Sequence, residues 1–205
     1  VYFLNRLIPH AEINFIAPFL SNSEVSNEKI TVFNTMSASM TSPFFLEMRE
    51  KSGYSYSAYH YLMRTEFNKD PVIWNATFAC QADKVSECIR TANHSLFDIK
   101  SVEENFLLAK EASIKQLQVV KKDEIDITDD FLANHRLGFD EDPEKIAYEK
   151  LLNLQLAEYL DFIKKMIQIS KFNVTVIGDK NRIRPSDLSN LGQFKELKPE
   201  QIIGH

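Results

Sequence analysis

Apolar residues cluster in short runs near both ends of the chain and in its first half, and polar, proline or glycine residues bound each run. Such runs, rich in β-branched and aromatic residues, predict β-strands. The predicted strands cover residues 1–8, 12–20, 54–63, 72–80 and 172–178. A polar turn, Asn-Lys-Asp-Pro, joins the third run to the fourth and favours a hairpin. We therefore expect strands 54–63 and 72–80 to be neighbours in one sheet.

Between these runs, apolar residues recur every three or four positions, which predicts amphipathic helices. The first begins at Glu28, and a second begins near Pro43 and ends at Gly53. Further helices are predicted at about residues 83–98, 102–121, 128–137 and 143–169. Strands and helices do not alternate regularly in this order. It indicates an α+β fold, with a mainly antiparallel four- to six-stranded sheet and helices packed on one face.

The length and composition fit one globular domain, because 44% of the residues are hydrophobic and 26% are charged. We place that domain at residues 1–179, and we expect residues 180–205 to be an irregular tail or an interdomain segment. The chain starts at Val1 inside a predicted strand, so we expect it to be a piece of a longer or processed protein. No apolar run approaches the roughly 20 residues that span a membrane. We expect a soluble protein, and a bacterial cytoplasm or periplasm would suit it.

The charged and reactive residues exclude several functions. A net charge of −5 argues against nucleic acid as a partner. Cys80 and Cys88 match no redox or metal motif and are expected to be buried thiols. No two of the histidines have the spacing of His-Glu-x-x-His or His-x-x-Glu-His; they are His10, His60, His94, His135 and His205. We therefore expect no metal site on this chain, and we expect His60, which lies among tyrosines, to be structural.

The segment from residue 46 to residue 57 carries the candidate chemistry. Arg49 is predicted in the last turn of a helix, Gly53 turns the chain, and Tyr56 is predicted near the start of a strand. Arginine and tyrosine donate hydrogen bonds, so together they could polarise a carbonyl group or hold a peptide backbone. Alternatively, Arg49 stabilises the helix C-terminus and Tyr56 packs as a strand aromatic. Taken alone, the local pattern favours this second, structural explanation.

The same segment resembles a family signature. The sequence SPFFLEMREKSGYSYSAY is similar to SRLFQELREKxGLAYSV of the pitrilysin and insulysin relatives, which include the mitochondrial processing peptidases. The matching residues are Leu46, Arg49, Glu50, Lys51, Gly53, Tyr56 and Ser57. Tyr54 replaces the usual leucine, and residues 37–42 lack the family's pair of glycines. The predicted order of strands and helices, up to VTVIGD at residues 174–179, also fits that family.

The resemblance implies a non-catalytic, C-terminal type domain of these inverted zinc metallopeptidases, inactive by itself. It implies that Arg49 and Tyr56 bind a peptide substrate near the scissile bond, and that zinc is held by a partner catalytic domain or subunit. A structural or assembly module of the same fold is the alternative, as in core subunits of respiratory complexes. A stand-alone hydrolase is disfavoured because zinc ligands are missing. The presence of both Arg49 and Tyr56 favours substrate binding.

Overall fold

The computed structural model describes residues 1–119, 124–198 and 201. It contains one 6-stranded sheet in the order β3-β4-β2-β5-β1-β6. The strands are β1 (Tyr2–Asn5), β2 (His10–Ser21), β3 (Ala58–Met63), β4 (Pro71–Gln81), β5 (Asn173–Gly178) and β6 (Lys195–Leu197). The predicted α+β class and strand number are therefore confirmed.

The sheet is mixed, although most of its pairings are antiparallel. Strands β3, β4, β2 and β5 pair antiparallel in succession, and β3 and β4 are neighbours as predicted, with His60 opposite Ala76. Strand β1 pairs parallel with both β5 and β6. The sheet is mixed because β5 lies between β1 and β2, which are consecutive along the chain. Hydrophobic patterns indicate which residues are buried and carry no information on this strand order.

One face of the sheet is buried because alternate residues along each strand are apolar. In β2 the buried residues are Ala11, Ile13, Phe15 and Ala17, whereas the residues between them retain exposure. In β4 the same alternation buries Trp74, whose ring lies 4.8 Å from that of Phe172. Burying one face under helices is the common solution for a largely antiparallel sheet.

The helices are α1 (Asn27–Ala38), α2 (Pro43–Phe45), α3 (Val85–Leu96), α4 (Ile99–Val119), α5 (Glu124–Arg136), α6 (Pro143–Asn153), α7 (Leu156–Ile169) and α8 (Pro185–Ser189). The prediction of a single helix at residues 143–169 is wrong, because Leu154 adopts an extended conformation and separates α6 from α7. No glycine or proline lies at this break. Packing decides it: Leu154 is buried, α6 contacts α1 and α4, and α7 contacts α4 and β2.

The segment after residue 179 is more regular than expected. It contains α8 and β6, and the backbone N–H of Lys195 donates to the carbonyl of Val1 at 2.9 Å. The side chains of Ile183 and Leu188 are buried in the core. His205 and the end of the predicted helix 102–121 lie outside the described residues.

Arg64 joins the end of β3 to the start of α1. Its guanidinium donates to the carbonyl of Asn22 and to the Oδ1 of Asn27, each at 2.7 Å. Burial lowers the pKa of Arg64 to about 10, and the nearby carboxylate of Glu28 acts in the opposite direction. The side chain therefore stays charged at neutral pH and holds β3 against the helical layer.

Tyr159 provides a test of the core. Its ring is fully buried against Phe106, and its hydroxyl has no hydrogen-bond partner among the described residues. An unpaired buried hydroxyl costs about 1–3 kcal/mol. We expect Tyr159→Phe to raise the free energy of unfolding by about 1 kcal/mol in urea denaturation at pH 7. Tyr148→Phe is the control, because the Tyr148 hydroxyl accepts a bond from Gln118. A loss of stability in Tyr159→Phe would contradict this expectation.

Candidate functional site

The candidate site begins with a short helical segment that winds more loosely than an α-helix. The Oγ of Ser42 accepts the backbone N–H of Phe45 at 3.3 Å and caps α2. The chain continues as one π-helical turn over Leu46–Lys51, and the N–H of Ser52 donates to the carbonyl of Glu47, five residues earlier. Single π-helical turns occur frequently at functional sites.

A tight turn then brings the chain back over the end of this helical segment. Gly53 has a φ of 62°, in the left-handed region that glycine adopts readily. The N–H groups of Tyr54 and Ser55 both donate to the carbonyl of Met48, at 2.9 and 3.1 Å. The Oγ of Ser55 donates to the carbonyl of Ser57 at 2.6 Å. Because these residues form a turn, β3 starts at Ala58 rather than at residue 54 as predicted.

This turn brings Arg49 and Tyr56 together. The guanidinium carbon of Arg49 lies 4.6 Å from the centroid of the Tyr56 ring and 5.3 Å from that of Phe45. Rings at this distance attract a cation through their quadrupole. The Nε of Arg49 lies 3.3 Å from the Oε1 of Glu50, an ion pair that stays open to solvent. Tyr56 lies near the start of β3, as predicted, but it belongs to the turn before the strand, whereas the predicted strand 54–63 included it.

The polar groups of this pair remain available to a ligand. The Tyr56 side chain is 83% exposed, and its hydroxyl makes no hydrogen bond within the described part of the chain. Within that part, the only polar partner of the Arg49 guanidinium is Glu50, at Nε. The pair can therefore donate hydrogen bonds to an oxygen atom that approaches from solvent. The binding role of both residues stays a prediction.

Two neighbours of Arg49, Phe45 and Glu50, were not predicted from the sequence. Residues four apart on a helix lie close together, so the spacing of Phe45 and Arg49 could have revealed their contact. Glu50 follows Arg49 directly, and adjacent residues on an α-helix do not face each other. Their ion pair could not be read from spacing.

Within the described part of the chain, the other candidate residues do not assemble into a second site. Within residues 1–119, 124–198 and 201, no cluster of His, Cys, Asp or Glu has the size needed to hold a metal ion. Cys80 and Cys88 are free and buried, as predicted. A hydrogen bond between the two thiols raises the pKa of Cys80.

Among the described helices, none is long and apolar enough to cross a bilayer.

His60 has a structural environment. Its ring lies 5.2 Å from the rings of Phe33 and Phe44, and its Nδ1 accepts the indole N–H of Trp74 at 3.3 Å. The residue as a whole keeps some exposure, but its imidazole lies among aromatic rings. Burial lowers the pKa of His60 to about 3, which favours the neutral ring.

A comparison with protein families identifies the class of protein to which this chain belongs. The chain belongs to the Peptidase M16 inactive domain family, whose sequence profile matches residues 5–112. That range includes Phe45, Arg49 and Tyr56. The predicted membership of the pitrilysin-type peptidases is thereby confirmed. No match was found among curated protein sequences.

Solved structures of low identity share the fold. A peptidase M16 inactive domain from Pseudomonas fluorescens superposes with a TM-score of 0.70 at 10% identity, over 89% of this chain and 44% of that one. The periplasmic protease PqqL from Escherichia coli gives 0.67 at 12% identity, over 88% and 20%. Complex III2 from Candida albicans gives 0.68 at 14% identity, over 87% and 45%. The chain therefore spans less than half the length of each of these proteins.

The pKa of His60 predicts how stability depends on pH. The folded protein keeps His60 neutral, whereas the unfolded chain takes up a proton below a pH of about 6.5. Stability is therefore complete above this value and falls as the pH drops toward 3. Between pH 7.5 and 5.0, we expect urea denaturation to show about 1–2 kcal/mol more loss in the wild type than in His60→Gln.

Glutamine keeps an acceptor for the indole of Trp74 and does not titrate, so His60→Gln isolates the protonation. The matched control is His94→Gln, because His94 is exposed on α3. It should lose as much stability as the wild type. Equal losses in His60→Gln and the wild type would show that His60 does not resist protonation.

Proposed function

We propose that this chain is the peptide-binding, non-catalytic part of a zinc metalloendopeptidase. The observation that carries the proposal is the pairing of Arg49 with Tyr56, which leaves the Nη groups and the phenol hydroxyl free of partners among the described residues. Both residues lie in the segment that matches the family. A guanidinium and a phenol are suited to bind a peptide carbonyl, because the carbonyl oxygen accepts hydrogen bonds and both groups can donate them.

In this proposal the chain contributes binding and polarisation, and a catalytic domain contributes the zinc and its ligands. Membership of an inactive domain family implies such a partner. Donors held near a carbonyl oxygen stabilise the negative charge that develops on it during hydrolysis. Arg49 and Tyr56 would orient the peptide and stabilise that charge.

A structural or assembly role is the second candidate. Complex III2 from Candida albicans contains a chain of the same fold, at 14% identity. In a purely structural module, Arg49 would only stabilise the turn through its contacts with Glu50, Phe45 and Tyr56. The two functions differ in what happens to cleavage when these contacts are changed.

We expect Arg49→Ala and Tyr56→Phe to slow peptide cleavage by about 100-fold when the catalytic partner is present. Each variant removes a donor to the developing oxyanion. Neither side chain is buried, so the free energy of unfolding should change by less than about 1 kcal/mol. The measurements are steady-state cleavage of a fluorogenic peptide and urea denaturation.

The matched controls are Arg6→Ala and Tyr2→Phe, since β1 lies far from β3 in the strand order. Both controls should cleave at the wild-type rate. If Arg49→Ala and Tyr56→Phe also cleave normally, the motif is structural and the assembly role takes precedence.

A second prediction concerns zinc. A catalytic zinc ion requires about three protein ligands. We expect the purified chain to bind no stoichiometric zinc and to cleave no peptide by itself, as measured by elemental analysis and a peptidase assay. One zinc ion per chain that survives mild chelation would overturn this prediction.

A further inference from the structure

Phe45 and Glu50 adjoin the guanidinium of Arg49 in addition to Tyr56. We propose that Phe45 is a positioning residue for Arg49, and that Glu50 makes the site select a neutral main-chain carbonyl over a carboxylate. This inference rests on the proposed function, because it names the ligand chemistry of the same site.

Phe45 is well placed to position Arg49 because its own backbone is held firmly. Ser42 caps its N–H, and the neighbouring side chains of Phe44 and Met48 are 1% and 0% exposed. The Phe45 ring therefore stands on a fixed part of the helical segment, 5.3 Å from the guanidinium carbon. With the Tyr56 ring on the turn, it limits the conformations that the long Arg49 side chain can adopt.

These contacts leave one approach for a ligand oxygen. The Nε of Arg49 faces Glu50 at 3.3 Å, and two aromatic rings adjoin the guanidinium. The Nη groups make no hydrogen bond to the described residues. A ligand oxygen is therefore expected to bind at the Nη end.

The carboxylate of Glu50 determines which oxygen binds there. Glu50 is the acid that adjoins the Arg49 guanidinium, whereas Glu47 pairs with Lys51 at 3.1 Å. An isolated arginine prefers carboxylates, which it binds through two hydrogen bonds. Here an incoming carboxylate would be repelled by Glu50, whereas a neutral carbonyl would not.

The first experiment tests the positioning without any ligand. In NMR spectra of the 205-residue chain, the Nε–H signal of Arg49, assigned by its loss in Arg49→Lys, should be shifted upfield by the ring currents. Phe45→Leu should reduce the shift, and Phe45→Tyr should restore it, because an aromatic ring returns. If Phe45→Leu leaves the shift unchanged, the nearer Tyr56 ring alone accounts for it, and the positioning role is overturned.

The second experiment tests the selectivity with two probes. An acetylated hexapeptide of serine, alanine and leucine is titrated as its C-terminal amide and as its free acid, and the Arg49 and Tyr56 signals are followed. We expect the wild type to bind the amide at least as tightly as the acid. In Glu50→Gln, the acid should bind about five-fold more tightly than the amide.

The matched control is Glu47→Gln, which removes the same charge from the same turn but from the pair with Lys51. Its ratio of amide to acid affinity should equal that of the wild type. Phe45→Leu should lower the affinity for both probes by about three-fold, and Phe45→Tyr should restore the wild-type affinity.

The outcomes separate this inference from the proposed function. An unchanged ratio in Glu50→Gln, or an equal change in Glu47→Gln, would overturn the selectivity while leaving peptide binding intact. If Phe45→Leu reduces the shift of the Arg49 signal but neither probe moves that signal, the positioning stands. That result would overturn the selectivity together with the proposed function.

Discussion

The carbonyl of Met48 is the point on which the candidate site depends. It accepts the N–H groups of both Tyr54 and Ser55, so the chain must turn back at the end of the helical segment. The Met48 side chain is 0% exposed, and the core therefore holds this carbonyl in place. Arg49 follows Met48 directly, and Tyr56 follows the turn. Their contact is a consequence of one anchored residue and its two hydrogen bonds.

The surrounding fold supplies a rigid base for that exposed turn. Strand β3 lies at the edge of the sheet, where unpaired backbone groups can recruit other strands. The side chain of Asn34 on α1 occupies part of this edge, because it accepts the N–H of Leu62 at 2.7 Å and donates to its carbonyl at 2.9 Å. The edge is thereby tied to the helical layer, as it is farther along by Arg64. The turn that carries Arg49 and Tyr56 leads directly into this anchored strand, and the hydrogen-bond donors of both side chains face solvent.

Two titratable groups near this junction show how environment separates a neutral, buried ring from a charged, solvent-facing side chain. His60 lies among aromatic rings on the buried side of β3, and burial lowers its pKa to about 3, so it remains neutral. Arg49 lies at the surface, beside Glu50 and two rings, and keeps most of its donors available. The first residue stabilises the core, and the second can serve a ligand.

The sequence by itself determined the α+β class, the pairing of β3 with β4, the family and the candidate residues Arg49 and Tyr56. These features are local, because alternation, helical spacing and a short motif record which side chains face the core and which meet solvent. The tertiary structure alone decided that β5 lies between β1 and β2, that Leu154 separates α6 from α7, and that Tyr56 precedes β3. It also decided the ion pair of Arg49 with Glu50, which forms in the π-helical turn. Each of these depends on which distant or turning segments pack together, and a one-dimensional pattern of polarity does not encode that choice.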